Sequence, residues 1–272
     1  MTSDARFESE TGEPLGLWQR PIETPPQAAG LRLHAFEYSS RGARVPGRLL
    51  LPPDGDGPFP LVILQHGARG SKDAEYMLPV AAPWARAGAA VASIDLPLYG
   101  ERRNAKLTGL LLGALGLEGR PTPAGRTILD EFVTQAVRDL RRLVDAGREL
   151  PQVDAEQVVF AGLSLGSIVG ATYVAHDPRP RAAALALGGG GFGGPLSDPA
   201  RYVHRIAPRP VLFVNATRDE TIPRASTEAL YAAAGDPKEI EWFDSGHLDL
   251  PGVAFKSMWQ FIRRHLDLPG RS

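Results

Sequence analysis

Cysteine is absent from the 272 residues. That removes disulfides, thiolate metal sites and a cysteine nucleophile together. An excess of charge is also missing: 30 basic against 31 acidic side chains leave a formal net charge of −1. Nothing electrostatic therefore points to nucleic acid or to an anionic membrane surface as a partner. No long apolar run occurs. The nearest approach, LTGLLLGALGL at 107–117, is 11 residues with three glycines, too short for a bilayer span of about 20 residues. The opening MTSDARFESETGEPLG has no basic stretch leading into an apolar one, so no secretory signal is read there and a cytoplasmic location is expected. There is no repeat of fixed period, and the one low-complexity stretch is GGGGFGG at 188–194.

What is present is the composition of a folded globule, 43% hydrophobic and 22% charged. A chain of this mass should expose roughly 11,500 Å² when folded and bury on the order of 73% of its extended-chain surface. That is enough for one large core, so a single domain at 31–272 is expected, after a loosely packed lead-in at 1–30 rich in proline and acidic residues.

Short runs of Val, Ile, Leu and Ala bounded by turn residues mark strands at 48–51, 61–65, 89–94, 158–161, 183–187, 211–215 and 240–243. Most are apolar throughout rather than alternating, as strands covered on both faces are. Between them lie helical patterns at 74–87, 127–146, 165–175, 224–234 and 253–265. In 127–146, Leu129, Phe132, Val133, Ala136, Val137, Leu140, Leu143 and Val144 recur at three- and four-residue spacing. Strand–helix alternation on this scale predicts an α/β fold, a doubly wound, mostly parallel sheet of about eight strands. One long connection, 96–126, interrupts it.

Chemistry enters at VVFAGLSLGSIVG, where Ser164 sits in GxSxG between an apolar strand and an apolar helix. Such a turn strains the serine and exposes its Oγ, while the helix opening at Leu165 aims an amide donor and a positive dipole end at any oxyanion beside it. A serine hydroxyl needs a base, and the base an orienting acid. His247, in WFDSGHLDL after the last strand, and Asp219, in VLFVNATRDETIP after the one before it, both fall beyond carboxyl ends of strands, where open parallel sheets build their sites. Asp244 and Asp249 are competing acids that a tight local turn would have to bring to the ring. A second oxyanion donor is expected from the Ala68 amide in LVILQHGARG, with Gly67 keeping the approach open and His66 bracing the loop. The glycines 188, 190 and 193 match a dinucleotide fingerprint, with Asp219 following at 26 residues, but no helix pattern opens there.

Taken together, HGA at 66–68, DLPLYGER at 95–102, GLSLG at 162–166, RDETIP at 218–223 and SGH at 245–247 resemble the α/β-hydrolase superfamily, and within it the dienelactone hydrolase and acetyl esterase-like branch. The resemblance covers about residues 45–266. It implies an α/β-hydrolase fold and a serine hydrolase with Ser164 as nucleophile, His247 as general base and acid, Asp219 as orienter, no cofactor and no metal. The partner implied is a small-molecule ester, hydrolysed as by a carboxylesterase. Thioesterase or amidase action on the same machinery is the alternative, and a non-catalytic binding protein a more distant one. Dienelactone hydrolases proper carry a cysteine nucleophile, and this chain has a serine. No large cap is expected in the short glycine-rich connection 188–208, whereas the apolar insert 96–126 either covers a substrate pocket or packs onto the core. Monomer and homodimer remain equally open.

Overall fold

The computed structural model describes residues 5–8 and 12–268, so part of the expected lead-in (1–4 and 9–11) and the end of the expected domain (269–272) lie outside it. The accessible surface is 11565 Å², close to the value expected for a folded chain of this mass.

Nine strands form one sheet: β1 (Trp18–Ile22), β2 (Arg32–Ser40), β3 (Ala43–Leu51), β4 (Phe59–Gln65), β5 (Ala90–Ile94), β6 (Val153–Leu163), β7 (Pro180–Ala186), β8 (Val211–Ala216) and β9 (Lys238–Phe243). Their spatial order is β1-β2-β3-β5-β4-β6-β7-β8-β9. From β5 to β9 every pairing is parallel, and the three strands at the other edge are antiparallel.

The uniformly apolar strands are explained by what covers them. Along β4, Leu61 and Ile63 enter one core while Val62 and Leu64 enter the other; along β6, Val158 and Phe160 part from Val159 and Ala161 in the same way. Side chains alternate across a strand, so a strand with two covered faces is apolar at nearly every position. On one face lie α2 (Ala105–Ala114), α3 (Pro123–Glu149), α4 (Leu165–His176) and α5 (Arg224–Ala233); on the other, α1 (Met77–Arg86) and α6 (Gly252–Ile262).

Helix α3 buries the expected stripe from Leu129 to Val144, including Phe132, Ala136 and Leu140. It starts earlier than the apolar pattern does because its cap lies upstream: Thr122 Oγ1 accepts from the Gly125 amide at 3.0 Å and Pro123 occupies the first helical position. It ends before Pro151, as a residue preceding proline disfavours helix.

The structure corrects the reading at the amino-terminal side. Residues 18–22 and 32–40, unassigned in the sequence, are strands, so the sheet has nine strands rather than about eight and the lead-in supplies its edge. Both are mixed in polarity: β2 sends Leu33 into one core and Phe36 and Tyr38 into the other, and β1 contains Pro21, which an edge strand tolerates because it has a sheet neighbour on one side only. The insert 96–126 holds α2, capped by Asn104 Oδ1 accepting from the Leu107 amide at 3.1 Å. The connection after β7 has only two single-turn helices, Pro199–Arg201 and Val203–Ile206, and no helical cap. No helix among the described residues is long and apolar enough to cross a membrane.

Candidate active site

Strands β4, β6, β8 and β9 all point their carboxyl ends at one rim of the sheet, and each hands on a loop there. After β6 the chain turns directly into α4 at Ser164, whose φ of 52° and ψ of −115° place a non-glycine residue in a strained region. Backbone hydrogen bonds hold it: the Ser164 amide donates to Ala186 O at 2.8 Å, and its carbonyl accepts from the Ser167 and Ile168 amides at 2.9 and 3.0 Å. The flanking glycines allow the tight crossing. A Cβ on Gly166 would lie 2.5 Å from Gln65 O, and one on Gly162 2.5 Å from Gly166 O, distances backbone atoms cannot yield to.

The hydroxyl meets a ring across 83 residues of sequence, with Ser164 Oγ 2.8 Å from His247 Nε2. On the far side of that ring, Nδ1 lies 2.7 Å from Asp219 Oδ2. The same carboxylate's Oδ1 accepts from the Thr221 and Ile222 amides, both at 2.8 Å, which fixes its plane before the histidine arrives. Both side chains are close to buried, 10% exposed for His247 and 8% for Asp219. With the carboxylate accepting at Nδ1, the neutral ring carries its proton there and presents a bare Nε2 to the serine.

The competing acids are engaged elsewhere. Asp244 pairs with the Arg218 guanidinium, which holds its carboxyl below the usual range, and Asp249 Oδ1 accepts from the Gly246 amide at 2.7 Å. Of the other histidines, His176 lies at the end of α4 with Nδ1 2.8 Å from Thr172 O, and His34 Nδ1 meets Gln19 Nε2 at 2.9 Å.

Gly67, the residue before Ala68, lies against the serine, and Leu165 follows that serine. A Cβ on Gly67 would lie 3.2 Å from Ser164 Cβ and 3.7 Å from its Oγ, so the loop after β4 lies against the Ser164 side chain. Leu165 opens α4, where a helix leaves its first amides without intrahelical acceptors. His66 has no exposed surface and braces this loop: Nδ1 donates to Gly67 O at 2.8 Å and Nε2 accepts from the Leu96 amide at 3.1 Å. Burial pushes its pKa down to about 4, so it stays neutral at pH 7 and keeps both bonds.

The glycine run does not make a dinucleotide site. Gly190 N donates to Ser226 O, and Gly191 N and Gly194 N donate to Asp198 Oδ1 and Ser197 Oγ; no helix opens there, and Asp219 faces His247. Among the described residues no cluster of three or more His, Asp or Glu could hold a metal ion.

Some contacts around the site were not legible in the sequence motifs. Tyr76 Oη accepts from the Gly67 amide at 2.9 Å, and Lys72 and Asp95 meet in a buried ion pair at 2.9 Å. Asp95 opens the DLPLYGER segment already singled out in the sequence, but no spacing points to Lys72 as its partner.

Known families can be set beside this geometry. The family model described as Dienelactone hydrolase family matches residues 46–247. The chain belongs to the dienelactone hydrolase family. The match runs from β3 to the histidine at the rim, so Ser164, Asp219 and His247 all fall within it. No curated protein matches this family member in sequence. Solved structures do match in fold. An acetyl xylan esterase from Paenibacillus sp. R4 is 20% identical with a TM-score of 0.73, the alignment covering 97% of this chain and 92% of that one. Acetyl xylan esterase 1 from Thermoanaerobacterium sp. JW/SL YS485 is 18% identical with a TM-score of 0.72, covering 96% and 92%. A cold-adapted esterase from an Arctic intertidal metagenomic library, in complex with PEG, is 21% identical with a TM-score of 0.71, covering 91% and 97%. The dienelactone hydrolase family member described here has the α/β-hydrolase fold.

Proposed function

We propose that this chain is a serine carboxylesterase, acting on esters with small or medium acyl and alcohol groups through an acyl-enzyme. The observation that carries the reading is the continuous hydrogen-bonded line from Ser164 Oγ through His247 to Asp219, at the carboxyl rim of a parallel sheet.

In this mechanism His247 Nε2 takes the Ser164 proton as Oγ adds to the ester carbonyl, and Asp219 stabilises the imidazolium that forms. The carbonyl oxygen gains charge and is met by the amides of Ala68 and Leu165, aided by the positive end of α4. His247 then protonates the departing alkoxide, and water repeats the sequence on the acyl-enzyme. The family's usual cysteine is replaced by serine, a weaker nucleophile at neutral pH that depends more on its base.

The insert is proposed to line the substrate region. A cavity of about 550 Å³ lies between the Arg69–Ala74 stretch and α2, with Tyr99, Thr108 and Leu112 among its walls. Arg69 ties the far end of the insert to this loop through Leu117 O at 3.2 Å and Glu118 at 2.9 Å. Deleting 108–118 should alter the ranking of acyl lengths while leaving measurable hydrolysis; an unaltered ranking would sink the pocket role.

The central test is intact-mass analysis after incubation with a fluorophosphonate, with peptide mapping. A single adduct on Ser164, lost in Ser164→Ala, is the expected result. No adduct on the wild-type chain would overturn the esterase reading.

A further inference from the structure

The loop that offers Ala68 is held at both of its ends, and one of the two anchors is a buried ion pair that the proposed chemistry does not use. Asp95 follows β5 with no exposed surface. Its Oδ1 accepts from the Lys72 backbone amide at 2.9 Å, and its Oδ2 accepts from Lys72 Nζ and from the Glu101 amide, each at 2.9 Å. The Lys72 side chain is 1% exposed, and its ammonium also reaches Glu101 at 2.7 Å and Asp73 at 3.1 Å. Donation to these carboxylates outweighs burial and raises the Lys72 pKa, so the cation persists.

Such a pair is an uneconomical way to stabilise a fold, because desolvating two ions cancels much of their attraction and an apolar replacement is often as good. What it supplies is geometry. Lys72 is bonded to Asp95 by main chain and side chain at once, while His66 is bonded to the next residue, Leu96, at 3.1 Å. The turn 67–71 is thus stapled at both ends to consecutive residues of one segment. Within it, one backbone bond links Gly70 N to Gly67 O at 3.2 Å, and Tyr76 Oη receives the Gly67 amide. Ala68 lies within the stretch that these bonds span.

Resting on the esterase reading above, we propose that Lys72 and Asp95 are positioning residues for the oxyanion loop, acting through Ala68 on the transition state rather than on substrate binding. A donor displaced by a fraction of an ångström loses most where charge develops, which lowers kcat and leaves KM nearly untouched.

The experiment uses the full-length chain and three variants, Lys72→Met, Asp95→Asn and the double variant. In each, active sites are counted by end-point titration with a fluorophosphonate. Then kcat per titrated site, KM for a p-nitrophenyl ester and Ki for a trifluoromethyl ketone, which forms an oxyanion on Ser164, are measured. We expect kcat per site to fall about 10- to 100-fold, KM to hold and Ki to rise by the same factor as kcat/KM falls. The double variant leaves no lone buried charge and so keeps the comparison available if either single variant does not fold. A reduced count of sites with unchanged kcat per site and unchanged Ki would mean that the pair only stabilises the fold, and would overturn the proposal. A wild-type chain that is not labelled at all would overturn the esterase reading and this proposal with it.

Discussion

Two loops face each other across Ser164, and they are built in opposite ways. The loop after β4, which carries Ala68, is anchored by groups withdrawn from water: a neutral His66 and the Lys72–Asp95 pair, all three less than 5% exposed. The loop after β9, which carries His247, is edged by polar groups in the open: Asp244 and Arg218 pair at the surface with side chains 80% and 60% exposed, and Leu248 beside the histidine is 96% exposed. The imidazole itself is sheltered there, between Ser164 and Asp219. Under the proposed esterase function the difference matches what each side would have to do. A donor for developing charge works by being fixed beforehand, whereas a residue that shuttles protons to a leaving group and then to water needs a solvent-facing edge.

The largest effect should come from the Asp219 contact on the histidine side. Asp219→Asn should lower kcat/KM by about 10³- to 10⁴-fold with the fold intact, because the amide favours the wrong tautomer of His247. An ester-hydrolysis assay beside a thermal melt checks it, and a loss below tenfold would show that the ring is oriented by its loop instead.

An intermediate effect is expected on the buried side and should be visible in stability. The folded pKa of His66 lies at about 4, below the unfolded value near 6.5. The unfolded chain therefore takes up the proton first as pH falls. Stability from this group is fully present above about pH 6.5 and declines toward pH 4, by about 3 kcal/mol in all. His66→Asn should be less stable than wild type at pH 7, with the gap narrowing at pH 4.5; urea midpoints at the two pH values measure it. A constant gap would remove the titration of His66 from the account.

The smallest effect belongs to the exposed side. Arg218→Ala should leave kcat and the urea midpoint within about twofold and within error respectively, as exposed ion pairs contribute little. A large loss of kcat would erase the contrast between the two loops.

Much of this arrangement could be seen in the chain itself. Ser164 announces itself through glycines spaced for a strand-to-helix turn, and Asp219 and His247 through their place just beyond apolar strands. Periodicity located α3 and the central strands because burial on one stripe or on two faces leaves a direct imprint on residue type. Asp95 is different: its carboxylate is placed by the end of β5, but its partner Lys72 lies 23 residues earlier in an unremarkable GSKD. β1 and β2 were missed because polar residues interrupt them: β1 is an edge strand with a single partner, and β2, though paired on both sides, carries His34, Glu37, Ser39 and Ser40 among its apolar residues.

What the sequence alone determined is therefore local: which segments are strands buried on both sides, where α3 lies, and which serine, acid and histidine stand at strand ends in the order 164, 219, 247. These depend on neighbours within a few residues and on burial. Only the tertiary structure decided that Asp219, rather than Asp244 or Asp249, meets His247. It also decided that the glycine run spends its amides on its own surroundings, and that a lysine and an aspartate pin the loop beside Ser164. Each of these is settled by which distant backbone and side-chain groups a polar atom finds once the sheet has assembled, and spacing along the chain does not encode that.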